Sequence, residues 1–172
     1  MEHKLTNVTI PVTTKEQLKG LDLDTYAILS DNFNLESLIK NLPMVEMVYG
    51  INRIGPKIIA KGNFFGYDFY VLSYGTHPCC YVRIPVGHKF YDVDYDDIPF
   101  YCHGGLTFGE RDLFDSTDED YFIGWDYGHA GDFSGFDMSF GFGSNGHKYT
   151  TKELVLDCLE SIRDFVKELT KE

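Results

Sequence analysis

Apolar positions at Leu154, Val155, Cys158, Leu159, Ile162, Phe165, Val166 and Leu169 recur at helical spacing, with Thr150 and Glu153 placed as a capping box ahead of them. The stripe predicts a C-terminal amphipathic helix that buries one face against a sheet. Strands are predicted at 45–51, 57–64, 67–74 and 79–84, where β-branched and aromatic residues run between Gly55-Pro56, Gly66 and the 75–78 turn. The short gap at Gly66 reads as a tight hairpin, so this stretch forms an antiparallel meander.

The flanks are less regular. Residues 7–13 have strand composition, with Pro11 confining them to an edge or an end. Thr14 followed by Gln17 starts a short helical turn over 15–19, and 26–30 suits strand or helix. Asn34 caps a helix carrying Leu35, Leu38, Ile39 and Leu42, which Pro43 ends. Further on, 98–108 reads as a strand bulged at Gly104-Gly105 and 121–126 as a buried strand; 127–132 reads as a loop and 133–146 as an irregular segment over it. The class is α+β: an antiparallel sheet of about five to seven strands packed by the C-terminal helix and one short N-terminal helix, in a single domain over 1–172.

Composition narrows the setting. Apolar residues make up 43% of the 172, which excludes disorder, and no apolar run nears the roughly 20 residues that span a bilayer. The opening residues lack the basic and apolar regions of a signal peptide, so a cytoplasmic protein is expected. Cys79, Cys80, Cys102 and Cys158 lack metal-site and disulfide-scaffold spacing, which predicts reduced thiols, with Cys79 and Cys80 on opposite faces of a strand.

Charge changes the picture once it is located. Residues 92–137 hold thirteen Asp and Glu against Arg111, so this window carries the whole net charge of −12. Such a field disfavours direct binding to a nucleic-acid backbone and favours cations, a basic protein surface, or a ligand whose phosphates are met by backbone amides or by a metal. The acids at 92–97 resemble the start of a calcium loop, but Asp97 and His103 stand where an EF-hand needs Gly and a bidentate acid, leaving only a non-EF cation site or a polar loop.

The candidate chemistry lies in the same window, in YCHGGLTF (101–108) and GWDYGHAGD (124–132). His103, Asp126 and His129 are the candidate catalytic residues, and with Asp132 they form a candidate divalent-metal set. Gly104, Gly105, Thr107, Trp125 and Asp132 are candidate ligand-binding residues: the glycines for close backbone approach, Trp125 for stacking. Three readings stay open: a metal or acid–base site, metal-free ligand recognition, or turn-capping acids with structural histidines. Cys102 and His103, adjacent on a strand, would point apart, and Thr107 and Ser134 lack a nucleophile-elbow context, so covalent catalysis is disfavoured.

These two segments, preceded by Tyr95-Asp-Asp-Ile98 and followed by a C-terminal helix, resemble a family of small, mostly uncharacterised phage- and prophage-encoded proteins marked by HGGLT and GFD-x-x-H-x-G-D. The resemblance covers residues 76–170, with Trp125 where that pattern has Phe. It implies a protein of the host cytoplasm that antagonises a host process. A counter-defence protein binding, or also degrading, a small nucleotide-like signal is the expected function. The alternatives are a metal-dependent hydrolase unrelated to immunity and an acidic, non-enzymatic inhibitor that covers a basic host-protein surface.

Overall fold

In the computed structural model, which describes residues 4–6, 9–42, 49, 55–111, 113, 119–133 and 146–171, the central run of strands forms the meander its composition predicts. β2 (Lys57–Phe64), β3 (Tyr67–Ser73), β4 (Pro78–Ile84), β5 (Phe108–Arg111) and β6 (Tyr121–Asp126) make a five-stranded antiparallel sheet in the order β2-β3-β4-β6-β5. A short β1 (Lys4–Thr6) joins its edge in parallel with β2. The strand expected at 7–13 is not formed over 9–13; the pairing strand precedes it, and the chain around Pro11 crosses the β2–β3 hairpin instead. The strand expected at 45–51 lies outside the described residues, apart from Tyr49, which bridges to Gly75.

The helical turn expected over 15–19 is α1 (Lys15–Lys19), a second short helix α2 (Leu23–Ala27) follows it, and the helix expected after Asn34 is a 3-10 turn at Leu35–Ile39. The sequence sets their starts: Thr14 and Gln17 complete a capping box, Asp22 accepts from Thr25 N, and Asn34 accepts from Glu36 N. The last helix, α3 (Thr151–Leu169), has both halves of the Thr150–Glu153 capping box in place. Its buried residues include Leu154, Val155, Cys158, Leu159, Ile162, Phe165, Val166 and Leu169. They share one core with Phe69, Val71, Cys80, Val82, Ile123 and Trp125 from the sheet. Leu72, Cys79 and Tyr81 form a smaller cluster, so the adjacent cysteines do point to opposite faces; none of the four cysteines forms a disulfide. None of the described helices is long and apolar enough to cross a membrane.

Within this core His88 is held neutral. Tyr67 donates its hydroxyl to Val12 O at 3.1 Å and accepts from His88 Nε2 at 2.9 Å, while His88 Nδ1 accepts from Phe90 N at 3.0 Å. A second ring proton would face the Phe90 amide donor. Burial, then the Lys89 charge, lowers the His88 pKa from 6.5 to about 4. The unfolded chain therefore binds a proton that the folded chain refuses between those values, and stability falls as pH drops from about 6.5 to about 4. The loss is on the order of 3 kcal/mol, for a side chain only 8% exposed. Urea unfolding of the wild type and His88→Gln at pH 7 and pH 4.5 checks this: the pH-dependent difference is expected to shrink in the variant.

Candidate functional site

The segment expected as a strand at 98–108 is a loop, and β5 begins only at Phe108. The cause is the glycine pair: Gly104 and Gly105 take left-handed φ of 70° and 83°, and Gly105 N closes a turn onto Cys102 O at 3.0 Å. Pairing with β6 starts at Thr107 N, which donates to Gly124 O at 2.9 Å. The turn lifts His103 out of the sheet. On the neighbouring strand, β6 ends at Asp126, and the loop after it carries His129 and Asp132 back toward His103.

Asp132 is the hub. Its side chain is 2% exposed. Its Oδ2 accepts from His103 Nε2 at 2.9 Å and from His129 N at 3.1 Å, and its Oδ1 accepts from the Tyr149 hydroxyl at 2.9 Å. Burial pushes its pKa up, but the bonds from His103, the His129 amide and Tyr149 outweigh burial and leave the carboxyl below its usual value. Asp132 is therefore a buried anion at neutral pH. Its backbone is fixed too, since Asp132 and His147 form a bridge that joins this loop to the lead-in of α3.

His103 lies flat on the Tyr127 ring, with centroids 4.6 Å apart and planes at 14°. Tyr127 donates to Asp157 Oδ2 at 2.8 Å and accepts from Trp125 Nε1 at 3.1 Å. Burial holds the Tyr127 hydroxyl protonated and, being the largest influence, also raises the Asp157 carboxyl. The second histidine sits under Gly104: a Cβ there would come within 2.5 Å of the His129 ring. His129 Nδ1 is buried and has no hydrogen-bond partner, with Asp132 Oδ2 at 3.6 Å and Asp126 Oδ1 at 3.7 Å as its carboxylate neighbours.

His103, His129 and Asp132 thus offer one donor atom each within 4.8 Å of one another. Two ligands held about 2.1 Å from one ion stand about 3.0 Å apart at a right angle and about 3.4 Å apart at a tetrahedral angle. The 2.9 and 3.6 Å separations from Asp132 Oδ2 lie close to those edges. His129 Nδ1 makes no hydrogen bond and has the two carboxylates near it. In the tautomer that leaves His103 Nε2 unprotonated, the set therefore offers a divalent ion two imidazoles and a carboxylate. Asp126 stands at the margin: Thr107 Oγ1 donates to its Oδ2 at 3.2 Å and Gly128 N to its Oδ1 at 3.0 Å.

Other candidate residues fall elsewhere. Trp125 is 1% exposed and its ring packs on Phe100 in the core, so it is not a stacking face; it borders a cleft beside Asp126 and donates to the Tyr127 hydroxyl. Cys102 is turned into the core, where burial raises its thiol to about 12. Of the acids at 92–97, Asp92 pairs with Arg111 at 2.6 Å and Asp94 caps the 3-10 turn Tyr95–Asp97. Ser134 and most of the 133–146 segment lie outside the described residues.

Tyr127, Tyr149 and Asp157 were not singled out by the sequence. The one available signal was Asp157, a carboxylate interrupting the α3 stripe between Val155 and Cys158. No protein-family model matches the chain, and no curated protein or solved structure matches it.

Proposed function

We propose that this chain is a divalent-metal-dependent hydrolase of a small nucleotide-like molecule, with His103, His129 and Asp132 as the metal ligands. The observation that carries the reading is the convergence of two imidazole nitrogens, one of them without a hydrogen bond, on a buried carboxylate. A bound ion would supply Lewis acidity toward a phosphoryl oxygen. The chain's residues do the rest. Tyr149 and the His129 amide fix the Asp132 carboxylate, and Tyr127 sets the plane of His103. Asp126, part exposed and 3.7 Å from His129 Nδ1, would take a proton from attacking water. In that step the water oxygen bonds to phosphorus, the P–O bond to the leaving group breaks, and the proton passes through Asp126 to the leaving oxygen. Counter-defence against a nucleotide signal is the setting that the HGGLT and GWDYGHAGD resemblance supports.

Calorimetric titration with Zn²⁺ and Mn²⁺, beside EDTA-sensitive hydrolysis of a phosphodiester panel, tests this reading. Saturable binding is expected, lost in His103→Ala. Asp126→Ala should keep the ion and lose turnover by about 100-fold or more. Gly104→Ala and Gly105→Ala form a matched pair, since both residues have left-handed φ but a Cβ meets the His129 ring only at Gly104. Ion affinity should fall in the first and hold in the second. Equal affinity in both, or no ion binding by the wild type, refutes the metal centre.

A further inference from the structure

On the sheet face opposite α3, a cleft of about 310 Å³ opens beside the candidate metal centre, and Asp126 belongs to both. We infer that this cleft is a subsite for a planar heteroaromatic ring carrying an exocyclic amino group, stacked among Tyr74, His77, Tyr81 and Phe108 and read by Asp126 and Thr107.

The walls are aromatic and mutually fixed. Tyr74 and His77 stack at 5.9 Å with planes at 18°, and Tyr81 meets Phe108 edge-on at 5.3 Å and 84°. The Tyr74 and Tyr81 hydroxyls lie 3.1 Å apart, tying the two pairs together. Tyr74 and His77 are further locked by the turn they close, in which Tyr74 N donates to His77 O at 3.1 Å. Room for the Tyr81 ring comes from Gly124, where a Cβ would stand 2.5 Å from it. Ordered aromatic faces of this kind hold flat π-systems at little entropic cost.

Polarity settles which part of a ligand belongs here. Among the described residues lining the cleft there is no lysine or arginine, so it does not suit a phosphate. Its fixed charge is the Asp126 carboxylate, whose two oxygens each accept one bond from the chain and keep a lone pair for a ligand donor. An exocyclic amino group matches that acceptor best, whereas uracil offers it a single ring N–H flanked by two carbonyl oxygens that a carboxylate repels. The Gly128 turn, whose Cβ position lies 3.8 Å from the His77 ring, places the cleft against the loop that carries His129. A ring in the cleft therefore directs its substituent toward His103 and His129; this placement rests on the metal-centre reading, whereas the cleft's ring recognition stands apart from it.

The test uses adenosine, guanosine, uridine and ribose 5-phosphate as probes, titrated into the metal-free chain and the Zn²⁺-loaded chain. Adenosine or guanosine should bind the metal-free chain with a Kd below about 1 mM, uridine more weakly, and ribose 5-phosphate without saturation. Tyr74→Ala and His77→Ala should each weaken nucleoside binding at least tenfold with Zn²⁺ affinity unchanged. His77→Gln, which keeps the turn polar, serves where the alanine variant does not fold. Asp126→Asn should remove the preference over uridine. If neither adenosine nor guanosine binds, if the Tyr74 and His77 variants bind as the wild type does, or if uridine binds equally well, the subsite is overturned. Nucleoside binding without Zn²⁺ binding overturns the metal centre and leaves the subsite standing.

Discussion

Replacing Asp132 with alanine is expected to lower the unfolding free energy by about 3–5 kcal/mol and to abolish divalent-ion binding in the same step. The side chain is 2% exposed and receives three donors from three parts of the chain: His103, the His129 amide and Tyr149. Alanine would take the acceptor from all three at once, and a stranded donor costs far more than a bond between satisfied partners contributes. Asp132→Asn keeps the volume but loses the charge, and should cost about 2 kcal/mol. Asp126→Ala is the comparison, because that carboxylate is part exposed and its two bonds are to nearby backbone and hydroxyl donors. Its cost should stay within about 1 kcal/mol. Guanidinium unfolding of the three variants, each with and without Zn²⁺, measures these differences. An Asp132→Ala variant within 1 kcal/mol of the wild type would show that the carboxylate is not the hub described.

What could be read from the chain alone follows from the range of the interactions involved. The α3 capping box and stripe, the β2–β3 hairpin and β6 depend on residues within a few positions of one another, and periodicity reports them directly. The 98–108 strand was misread because local composition favoured it while two left-handed glycines turned the chain. A hydrophobic pattern does not weigh that cost. Trp125 shows the opposite limit: next to polar residues in sequence it resembled a stacking platform, yet strand alternation turns its ring into the core against Phe100.

Pairings over longer distances left little trace. Tyr127 meets Asp157, and Tyr149 meets Asp132, only because α3 and its lead-in return across the end of β6. The acidic window is similar. Its total charge is plain in the sequence, but the pairing of Arg83 with Asp120 and of Arg111 with Asp92 depends on sheet register and loop path. Those pairs show that part of the acidic stretch is tied into the fold and is not wholly presented to a partner. Asp126 and Asp132, by contrast, are drawn into the candidate site itself.

Gly66→Ala should be as costly to the fold as Asp132→Ala is to the site, at roughly 3–4 kcal/mol. The hairpin turn needs left-handed backbone at Phe65 and Gly66, with φ of 53° and 83°. At Gly66 the conformation is only the smaller part of the constraint. A Cβ would stand 2.1 Å from Pro11 N and 2.3 Å from Ile10 C, so the N-terminal segment must lift off the hairpin. Lifting it exposes Val12, which is fully buried, and breaks the bond from the Tyr67 hydroxyl to Val12 O. That bond belongs to the same chain of contacts that holds His88 neutral, so the damage spreads into the core. Gly87 isolates the conformational part, because its φ is 86° with nothing within 4 Å of the Cβ position, and Gly87→Ala should cost about 1 kcal/mol. Urea unfolding of both variants tests the separation. Equal losses would mean that the N-terminal segment does not rest on the hairpin, and the account of Gly66 as a packing position would fail.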